Sequence, residues 1–267
     1  MEGAGVYLKR VFGHAQVPKL DPFLLLDDFS SESAADYLAG FPWHPHRGIE
    51  TVTYIVKGKV VHEDSLGNKG AIRGGDAQWM TAGSGIIHQE MPQITEEMIG
   101  FQLWVNLPSA RKMMTPRYQD ASRVEIPQVD YNGAVVRVLA GSLNNVRGPV
   151  EDVVVAPEYF DATLQPLSTF QHRATRGHTT FAYVVEGEGF FDSQRLVKRG
   201  EIALFADGDG LTIRAGEGGL RFLLIAGKPL NEPVAWYGPI VMNTREELQK
   251  AFNDYADGTF IKHKPNL

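Results

Sequence analysis

Hydrophobic positions along this chain of 267 residues come in short runs that alternate with polar positions and end at turn residues. Short apolar, β-branched and aromatic runs bounded by Gly, Pro, Asn or Asp predict β-strands. The clearest runs are ETVTYIVKG, KVVHEDS, FQLWVNLP, VVRVLAGS, TFAYVVEG and RFLLIAG. Regularly spaced short strands are typical of sandwiches and barrels, so the pattern predicts an all-β fold.

A segment near the C-terminal end has helical periodicity instead. Thr244 and Glu247 have the spacing of a capping box, and Gly258 is a typical helix stop. The apolar residues between them share one helix face: Leu248, Ala251, Phe252 and Tyr255. We therefore expect one helix after the last strand.

Three sequence blocks occur twice in the same order. TVTYIVKGKV aligns with TFAYVVEGEG, GGDAQWMTAGSG with RGEIALFADGDG, and GFQLWVNLP with GLRFLLIAGKP, at a nearly constant offset. Three blocks repeated in order indicate two copies of one β-unit. The sequence thus predicts two tandem barrels, 1–125 and 126–267, with a linker near 114–127. The C-terminal helix falls in the second range, and we expect the chain from about Pro229 onward to pack back on one barrel.

Composition narrows the possible chemistry. Without cysteine the chain has no disulfide, thiol nucleophile, iron–sulfur cluster or Cys-ligated zinc, so nitrogen and oxygen must hold any metal. A net charge of −6 argues against direct nucleic-acid binding, which depends on clustered Lys and Arg. No apolar run approaches the ~20 residues that span a bilayer, and MEGAGVYLKR lacks the apolar core of a secretory signal. We expect a monomeric, soluble protein of the cytoplasm, or also of the nucleus in a eukaryote.

Two histidine motifs carry the strongest chemical signal. GFPWHPHRGIE supplies His44, His46 and Glu50, and GSGIIHQE supplies His88 and Glu90. Residues two apart on a strand share a face, and Glu50 joins that face if its strand is unbroken. Three imidazoles and a carboxylate from two strands suit a divalent first-row metal with open coordination positions. Spacing alone leaves open whether Glu50 or Glu90 is the carboxylate ligand.

The second copy lacks this set of side chains. The alignment places non-ligating residues at all five positions: Arg173, Thr175, Thr179, Ile213 and Ala215. Ligands that are absent together indicate that they act together in the first copy. His172 and His178 fall one residue out of phase and are interpreted as surface or loop residues. The polar run at 62–64 is interpreted as a solvated hairpin rather than a second metal site.

The histidine-bearing segments also resemble a known family. HPHRGIETVTYIVKGKVVHEDSLG, GDAQWMTAGSGIIHQEMP and FQLWVNLP closely resemble the pirin family of bicupins, and the resemblance continues through LDPFLLLDDF near the start and GPIVMNT near the end. It implies two jelly-roll-like cupin barrels and an iron bound by His44, His46, His88 and Glu90. It places Glu50, at the position of the usual cupin carboxylate ligand, beside the metal rather than on it. The donor set also suits Mn, Co, Ni, Cu or Zn.

The resemblance further implies an activity. Several pirins have quercetin 2,3-dioxygenase activity, which opens the flavonol ring with O₂ and releases carbon monoxide. We therefore hypothesise an Fe(II)-dependent dioxygenase of flavonols or similar enol-bearing aromatic molecules, with Glu50 and Glu90 as the catalytic carboxylates and Glu50 as general base. A divalent ion with three neutral imidazoles and one carboxylate keeps one positive charge, which favours a deprotonated oxygen substrate. Phe41, Met80 and Gln102 are the candidate substrate contacts.

Two other functions stay open on the sequence. Some pirins resemble regulators, so the iron site could instead control binding to a transcription factor or a metabolic enzyme. A cupin that holds its metal for some other small molecule is the third possibility. Partner binding that depends on iron would favour the regulator, and flavonol turnover would favour the enzyme.

Overall fold

The structure is a computed structural model, and it describes residues 2–131, 133–192 and 194–263. The chain divides into two compact units. The first unit consists of Met1–Arg123 together with Leu230–Leu267, and the second unit is Val124–Pro229. Antiparallel strands dominate both units, and the predicted all-β fold with a C-terminal helix is confirmed. Within the described ranges, no helix is both long and apolar enough to cross a membrane.

From residue 2, where the described part of the chain starts, the first unit begins with ten strands and two short helical turns. They are β1 (Lys9–Phe12), β2 (Phe23–Asp28), α1 (Ala34–Tyr37), β3 (Phe41–His46), β4 (Ile49–Lys57), β5 (Lys59–Asp64), β6 (Lys69–Arg73), β7 (Ala77–Thr81), β8 (Ile86–Pro92), β9 (Ile99–Asn106), a 3-10 turn (Ser109–Arg111) and β10 (Arg117–Ala121). Six strands form a sheet in the order β1-β2-β9-β4-β7-β10, and four form a second sheet in the order β3-β8-β5-β6. Buried side chains from both sheets, such as Ile49, Met80 and Ile86, pack together in one apolar cluster.

The described residues of the second unit, which leave out 132 and 193, form ten further strands. They are β11 (Gln128–Tyr131), β12 (Ala134–Ala140), β13 (Ser142–Leu143), β14 (Val146–Arg147), β15 (Glu158–Leu164), β16 (Thr169–His172), β17 (Thr179–Phe191), β18 (Leu196–Lys198), β19 (Ile202–Leu204) and β20 (Leu211–Gly227). The long strands β17 and β20 pair with each other, and β20 also pairs with β15 and β16. Aromatic rings fill much of the core of the second unit. For example, Phe222 makes edge-on contacts with Phe170 and Phe191.

The chain then returns to the first unit with β21 (Ala235–Tyr237), β22 (Ile240–Met242) and α2 (Arg245–Ala256). The predicted capping box forms, because Thr244 Oγ1 accepts from Glu247 N at 3.1 Å and Glu247 Oε2 accepts from Thr244 N at 3.0 Å. This arrangement differs from the predicted division, which assigns 126–267 to the second barrel. The reason is packing: the apolar side chains after Pro229 are buried against the first unit, in clusters that include side chains of β8.

A strand break separates the histidine motif from the strand that follows it. β3 ends at His46 and β4 begins at Ile49, and the two strands belong to different sheets. Gly48 between them has φ +79°, and a Cβ there would clash with the carbonyl of Val241. Only glycine meets both conditions without strain, so this residue sets the change of direction.

Arg47, the other residue of the break, is a buried cation that joins the histidine motif to the C-terminal segment. Its Nε donates to Ser84 O at 2.7 Å, Nη1 to Asp254 Oδ2 at 2.7 Å, and Nη2 to Phe260 O at 2.9 Å. The guanidinium also lies 4.2 Å from the centre of the Phe260 ring. Since a buried charge needs partners of this quality, Arg47 fixes the position of α2 relative to β3.

A second buried cation, Lys112, makes a similar connection. Its Nζ donates to Gly48 O at 2.9 Å, Asn106 Oδ1 at 2.7 Å and Val241 O at 3.0 Å. Burial lowers the pKa of Lys112 to about 7. One ammonium group therefore connects three parts of the chain: the strand break at Gly48, the last residue of β9, and β22.

We predict that Asp254→Asn lowers the free energy of unfolding of the first unit by about 2–3 kcal/mol at pH 7, because Arg47 loses its buried counter-charge. Hydrogen bonds from Arg47 and Lys262 lower the pKa of Asp254 to about 2, so its contribution is present above pH ~4 and is lost as the pH falls from 4 to 2. Urea unfolding followed by tryptophan fluorescence measures this, since all four tryptophans lie in the first unit.

The matched control is Glu97→Gln, which removes an exposed ion pair with Lys57 and should change the free energy by less than about 1 kcal/mol. A difference between wild type and Asp254→Asn that persists unchanged at pH 2 would contradict the assignment.

Candidate metal centre

Three histidine rings meet at one point inside the first unit. β3 and β8 are antiparallel, and their register places His44 directly opposite His88. The Nε2 atom of His44 lies 3.0 Å from Nε2 of His46 and 3.0 Å from Nε2 of His88. The part of the chain that the structure describes contains this one cluster with the spacing of a metal site. The structure thus brings together the three predicted histidine ligands.

Backbone carbonyls fix the orientation of two of the rings. Nδ1 of His44 lies 2.8 Å from Pro42 O, and Nδ1 of His46 lies 3.1 Å from Pro239 O. A carbonyl oxygen can only accept, so Nδ1 carries the proton in both rings and Nε2 presents a lone pair. This outer hydrogen bond is the usual arrangement for a histidine that binds metal.

Two of the rings, His46 and His88, are in the protonation state that binds metal. Burial, together with the neighbouring His44 imidazole, lowers the pKa of both His46 and His88 well below the ordinary histidine value. These two rings are therefore neutral at neutral pH. Lone pairs 3.0 Å apart repel one another unless a cation lies between them. Two ligands about 2.1 Å from one ion and at right angles lie about 3.0 Å apart, so the nitrogen spacing fits a first-row metal.

Glu90 lies on the same face of β8 as His88 but is not a member of the three-histidine cluster. Its Oε1 accepts from Thr53 Oγ1 at 2.9 Å, and its Oε2 accepts from Gln102 Nε2 at 2.8 Å. The carboxylate is buried and held in place by these two donors. Its predicted role as the fourth ligand stays a prediction.

Glu50 faces the other way, and its predicted place beside the metal is corrected. Its carboxylate accepts from Thr81 Oγ1 at 2.7 Å, in agreement with their direct pairing between β4 and β7. The register of β4 is regular from Glu50 to Thr53, so these two side chains point to opposite faces. Thr53 is on the face of Glu90. The prediction assumes one unbroken strand from His44 to Glu50, and the chain breaks at Gly48. On the far face, burial raises the pKa of Glu50.

A cavity of about 790 Å³ opens beside the histidines, a volume typical of small-molecule sites. His44 and His46 form part of its wall, and the predicted contacts Phe41 and Gln102 line it as well. The predicted contact Met80 does not line this cavity. It is 1% exposed and packs in an apolar core cluster with Ile49 and Ile86.

The remaining walls come from parts of the chain that sequence spacing did not connect with the motif. Trp104 lies edge-on to His46 with ring centres 5.0 Å apart, and Trp236 lies 6.0 Å from Trp104. Trp236–Pro239 arrives from the C-terminal segment, while Arg10 and Asp27 come from β1 and β2. The aromatic pair at 236–237 close to a Gly-Pro turn is the signal that could have found the C-terminal wall.

Two residues of the segment at 62–64, His62 and Asp64, are buried, in contrast to the predicted solvated hairpin, while Glu63 between them is half-buried. His62 is 5% exposed, and its Nε2 lies 2.9 Å from Gln78 Nε2, which also donates to Asp120 at 2.8 Å. The His62 ring stacks on Tyr118 with centres 5.8 Å apart. His62 is therefore a hydrogen-bonded core histidine.

Sheet pairing corrects the comparison with the second barrel. In the first barrel His46 pairs with the residue two positions before His88. In the second barrel His172 pairs with Leu211, which lies two positions before Ile213, the residue aligned with His88. His172 is therefore the counterpart of His46.

The proposed counterpart Thr175 is wrong because the loop before β17, at 173–178, is longer than the loop before β4. His172 is also not a surface residue. It is buried, its Nε2 lies 2.8 Å from Glu158 Oε2, and its ring stacks on Phe170. The second barrel thus keeps one histidine of the motif, paired with a carboxylate instead of with further histidines.

Two β-barrel units, the first with three converging imidazoles in a cavity, define a bicupin with a candidate metal centre in its first barrel. The pirin model matches residues 5–105, and the pirin C-terminal cupin domain model matches residues 159–261. A Pseudomonas aeruginosa protein provisionally named quercetin 2,3-dioxygenase is 44% identical over 265 residues, 96% of this chain and 93% of that protein. Pirin-1 of Arabidopsis thaliana is 43% identical over 262 residues, 96% of this chain and 89% of that protein.

A solved structure gives the same result. The crystal structure of a quercetin 2,3-dioxygenase from Acinetobacter baumannii is similar with a TM-score of 0.87 and 34% identity, over 97% of this chain and 93% of that one. The chain belongs to the pirin family.

The two carboxylates on opposite faces of the sheet make a matched pair for a test of metal binding. We expect Glu90→Gln to weaken binding of Ni(II) or Co(II) by about 10–100-fold, because the carboxylate next to the histidines is neutralised. Glu50→Gln should leave the affinity unchanged, since Glu50 lies on the far face. Competition with a chromophoric chelator measures both, and equal losses in the two variants would contradict the geometry.

Proposed function

We propose that the first barrel is the active site of a metal-dependent dioxygenase that opens the heterocyclic ring of flavonols such as quercetin with O₂. One observation carries the proposal: three imidazole nitrogens have the spacing of a metal site, and two of these rings, His44 and His46, lie in the wall of an aromatic-lined cavity of about 790 Å³. The family membership and the names of the relatives from Pseudomonas aeruginosa and Acinetobacter baumannii support it.

The metal of this proposal is Fe(II), held by His44, His46 and His88 with Glu90 as the fourth ligand. Nitrogen and oxygen donors of this kind also accept Mn, Co, Ni, Cu or Zn, so the choice of iron comes from the family. When bound, such an ion polarises an oxygen of the substrate and lowers its pKa.

The protein's own side chains bind and orient the substrate. Trp104, Trp236 and Phe41 offer flat apolar surfaces to an aromatic ring system and exclude water from the histidines. Gln102 holds Glu90 through a 2.8 Å hydrogen bond and presents its carbonyl oxygen to Trp104 Nε1 at 3.2 Å. Gln102 therefore couples the position of the carboxylate to that of the cavity wall. Glu50 has no part in this arrangement.

Turnover with a flavonol tests the proposal directly. We expect protein loaded with Fe(II) to consume one O₂ and release one carbon monoxide for each quercetin that disappears, as measured with an oxygen electrode and by loss of flavonol absorbance. His44→Ala should lower kcat/KM by at least about 100-fold, because the ion loses a ligand and its position.

The control is His172→Gln, which changes the corresponding motif position of the second barrel and should keep turnover at the wild-type level. The proposal fails if no flavonol supports O₂ uptake, or if His44→Ala is as active as wild type. In the first case, partner binding that depends on the iron oxidation state would support the regulatory alternative.

A further inference from the structure

A row of polar side chains crosses four strands along the floor of the cavity. Arg10 on β1 pairs with Asp27 on β2, Asp27 pairs with Gln102 on β9, and Gln102 pairs with Thr53 on β4. Direct cross-strand partners share a face, so all four side chains lie on one side of the sheet. The row ends at Glu90, which accepts from both Thr53 and Gln102.

The outer end of this row is a charged pair. Arg10 donates from Nε to Asp27 Oδ1 at 2.9 Å and from Nη2 to Asp27 Oδ2 at 2.8 Å. Its Nη1 lies 3.0 Å from Glu2 Oε1, and that glutamate is 46% exposed. These contacts occupy three of the five guanidinium N–H groups. Asp27 is 6% exposed and lines the cavity together with Arg10.

An apolar row lies beside the polar one. Leu25 on β2 pairs with Trp104 on β9, and both line the cavity. Neighbouring strands are about 4.8 Å apart, so Arg10 lies two strand spacings, roughly 10 Å, from Gln102. The cavity therefore has an apolar strip for a flat ring system, with the histidines at one end and a charged pair at the other.

We propose that the Arg10–Asp27 pair is a specificity site, which binds hydroxyl groups on the part of the substrate that lies farthest from the histidines. This inference rests on the proposed function and names its substrate class: flavonols with hydroxyl groups on a remote ring. A hydroxyl placed there donates to an Asp27 oxygen and accepts from a guanidinium N–H of Arg10. Both groups are charged, so each such bond is stronger than one between neutral groups.

The same pair discriminates against flavonols that lack remote hydroxyls. A bare ring placed over Arg10 and Asp27 removes water from both charges and offers no hydrogen bond in return. A site built to bind a hydroxyl group strongly rejects an analogue that lacks this hydroxyl. An apolar pocket rejects an analogue that lacks a methylene group much less strongly. Selection then comes from the cavity end that is distant from the metal.

Calorimetric titration with two ligands tests the proposal. Quercetin carries hydroxyls on both outer rings, and 3-hydroxyflavone has the same skeleton and the same metal-binding oxygens without them. We expect wild type to bind quercetin at least tenfold more tightly. The double variant Arg10→Met with Asp27→Leu, which leaves neither charge unpaired, should bring the two affinities within about twofold, with the loss confined to quercetin.

The second barrel provides a matched control. Arg221 and Asp161 form a pair of the same geometry, with Nε to Oδ1 at 2.9 Å and Nη2 to Oδ2 at 2.7 Å, outside the cavity. Arg221→Met with Asp161→Leu should keep the wild-type preference. Arg10→Lys, which keeps the charge and loses the paired geometry, should retain only part of the preference and serves if the double variant does not fold.

Binding and turnover separate this inference from the proposed function. Selective binding that depends on Arg10 and Asp27, without O₂ uptake, would uphold the specificity site and overturn the dioxygenase. Turnover with unchanged selectivity in the double variant would overturn the specificity site and leave the dioxygenase standing. Equal loss of both ligands in the double variant would likewise overturn it.

Discussion

Three imidazoles whose nitrogens point at one another, two of them buried and the third half-buried, are the constraint on which the first barrel depends. Lone pairs at 3.0 Å repel, and burial of His46 and His88 disfavours the protonation of these two rings, which would otherwise relieve the repulsion. The register of β3 with β8 and the carbonyls of Pro42 and Pro239 keep the rings in this arrangement. Apolar packing around the rings stabilises it, so the site is prepared for a cation before one arrives.

The sheet behind the histidines divides polar groups into two populations. On one face Thr53, Gln102 and Glu90 form a hydrogen-bonded set that reaches the cavity, and on the other face Glu50 and Thr81 form a separate pair. A strand carries its side chains to alternate faces, so the direction in which the chain leaves Gly48 decides that Glu50 lies on the face away from Gln102 and Glu90. Two glutamates of similar sequence context therefore have different surroundings.

Local rules predicted the fold well because strand alternation, turn residues and the capping box at Thr244 act over a few residues. His44, His46 and His88 were predictable for the same reason, since a spacing of two on a strand fixes the face. Predictions that depend on what happens between elements did worse. The orientation of Glu50 depends on the backbone angles of Gly48. The counterpart of His46 in the second barrel depends on the length of the loop before β17.

The long-range features were not accessible from spacing at all. Met80 looks like a pocket residue beside a histidine strand, yet apolar side chains of both sheets bury it. The walls formed by 236–239 and by Arg10 depend on contacts between distant parts of the chain. Family resemblance implied a set of metal ligands, but it gave no indication of what surrounds them.

The first unit is interrupted in sequence by the second, and this has a consequence for biosynthesis. A ribosome makes His46 early, whereas Pro239, the acceptor for its outer nitrogen, follows only after the whole second unit has been translated. Arg47 is likewise made long before its hydrogen-bond acceptors on Asp254 and Phe260. The nascent chain therefore carries His46 and Arg47 without these partners until the second unit has been made. A chain that stops after the second unit contains all three histidines and lacks the carbonyl of Pro239 that orients one of them.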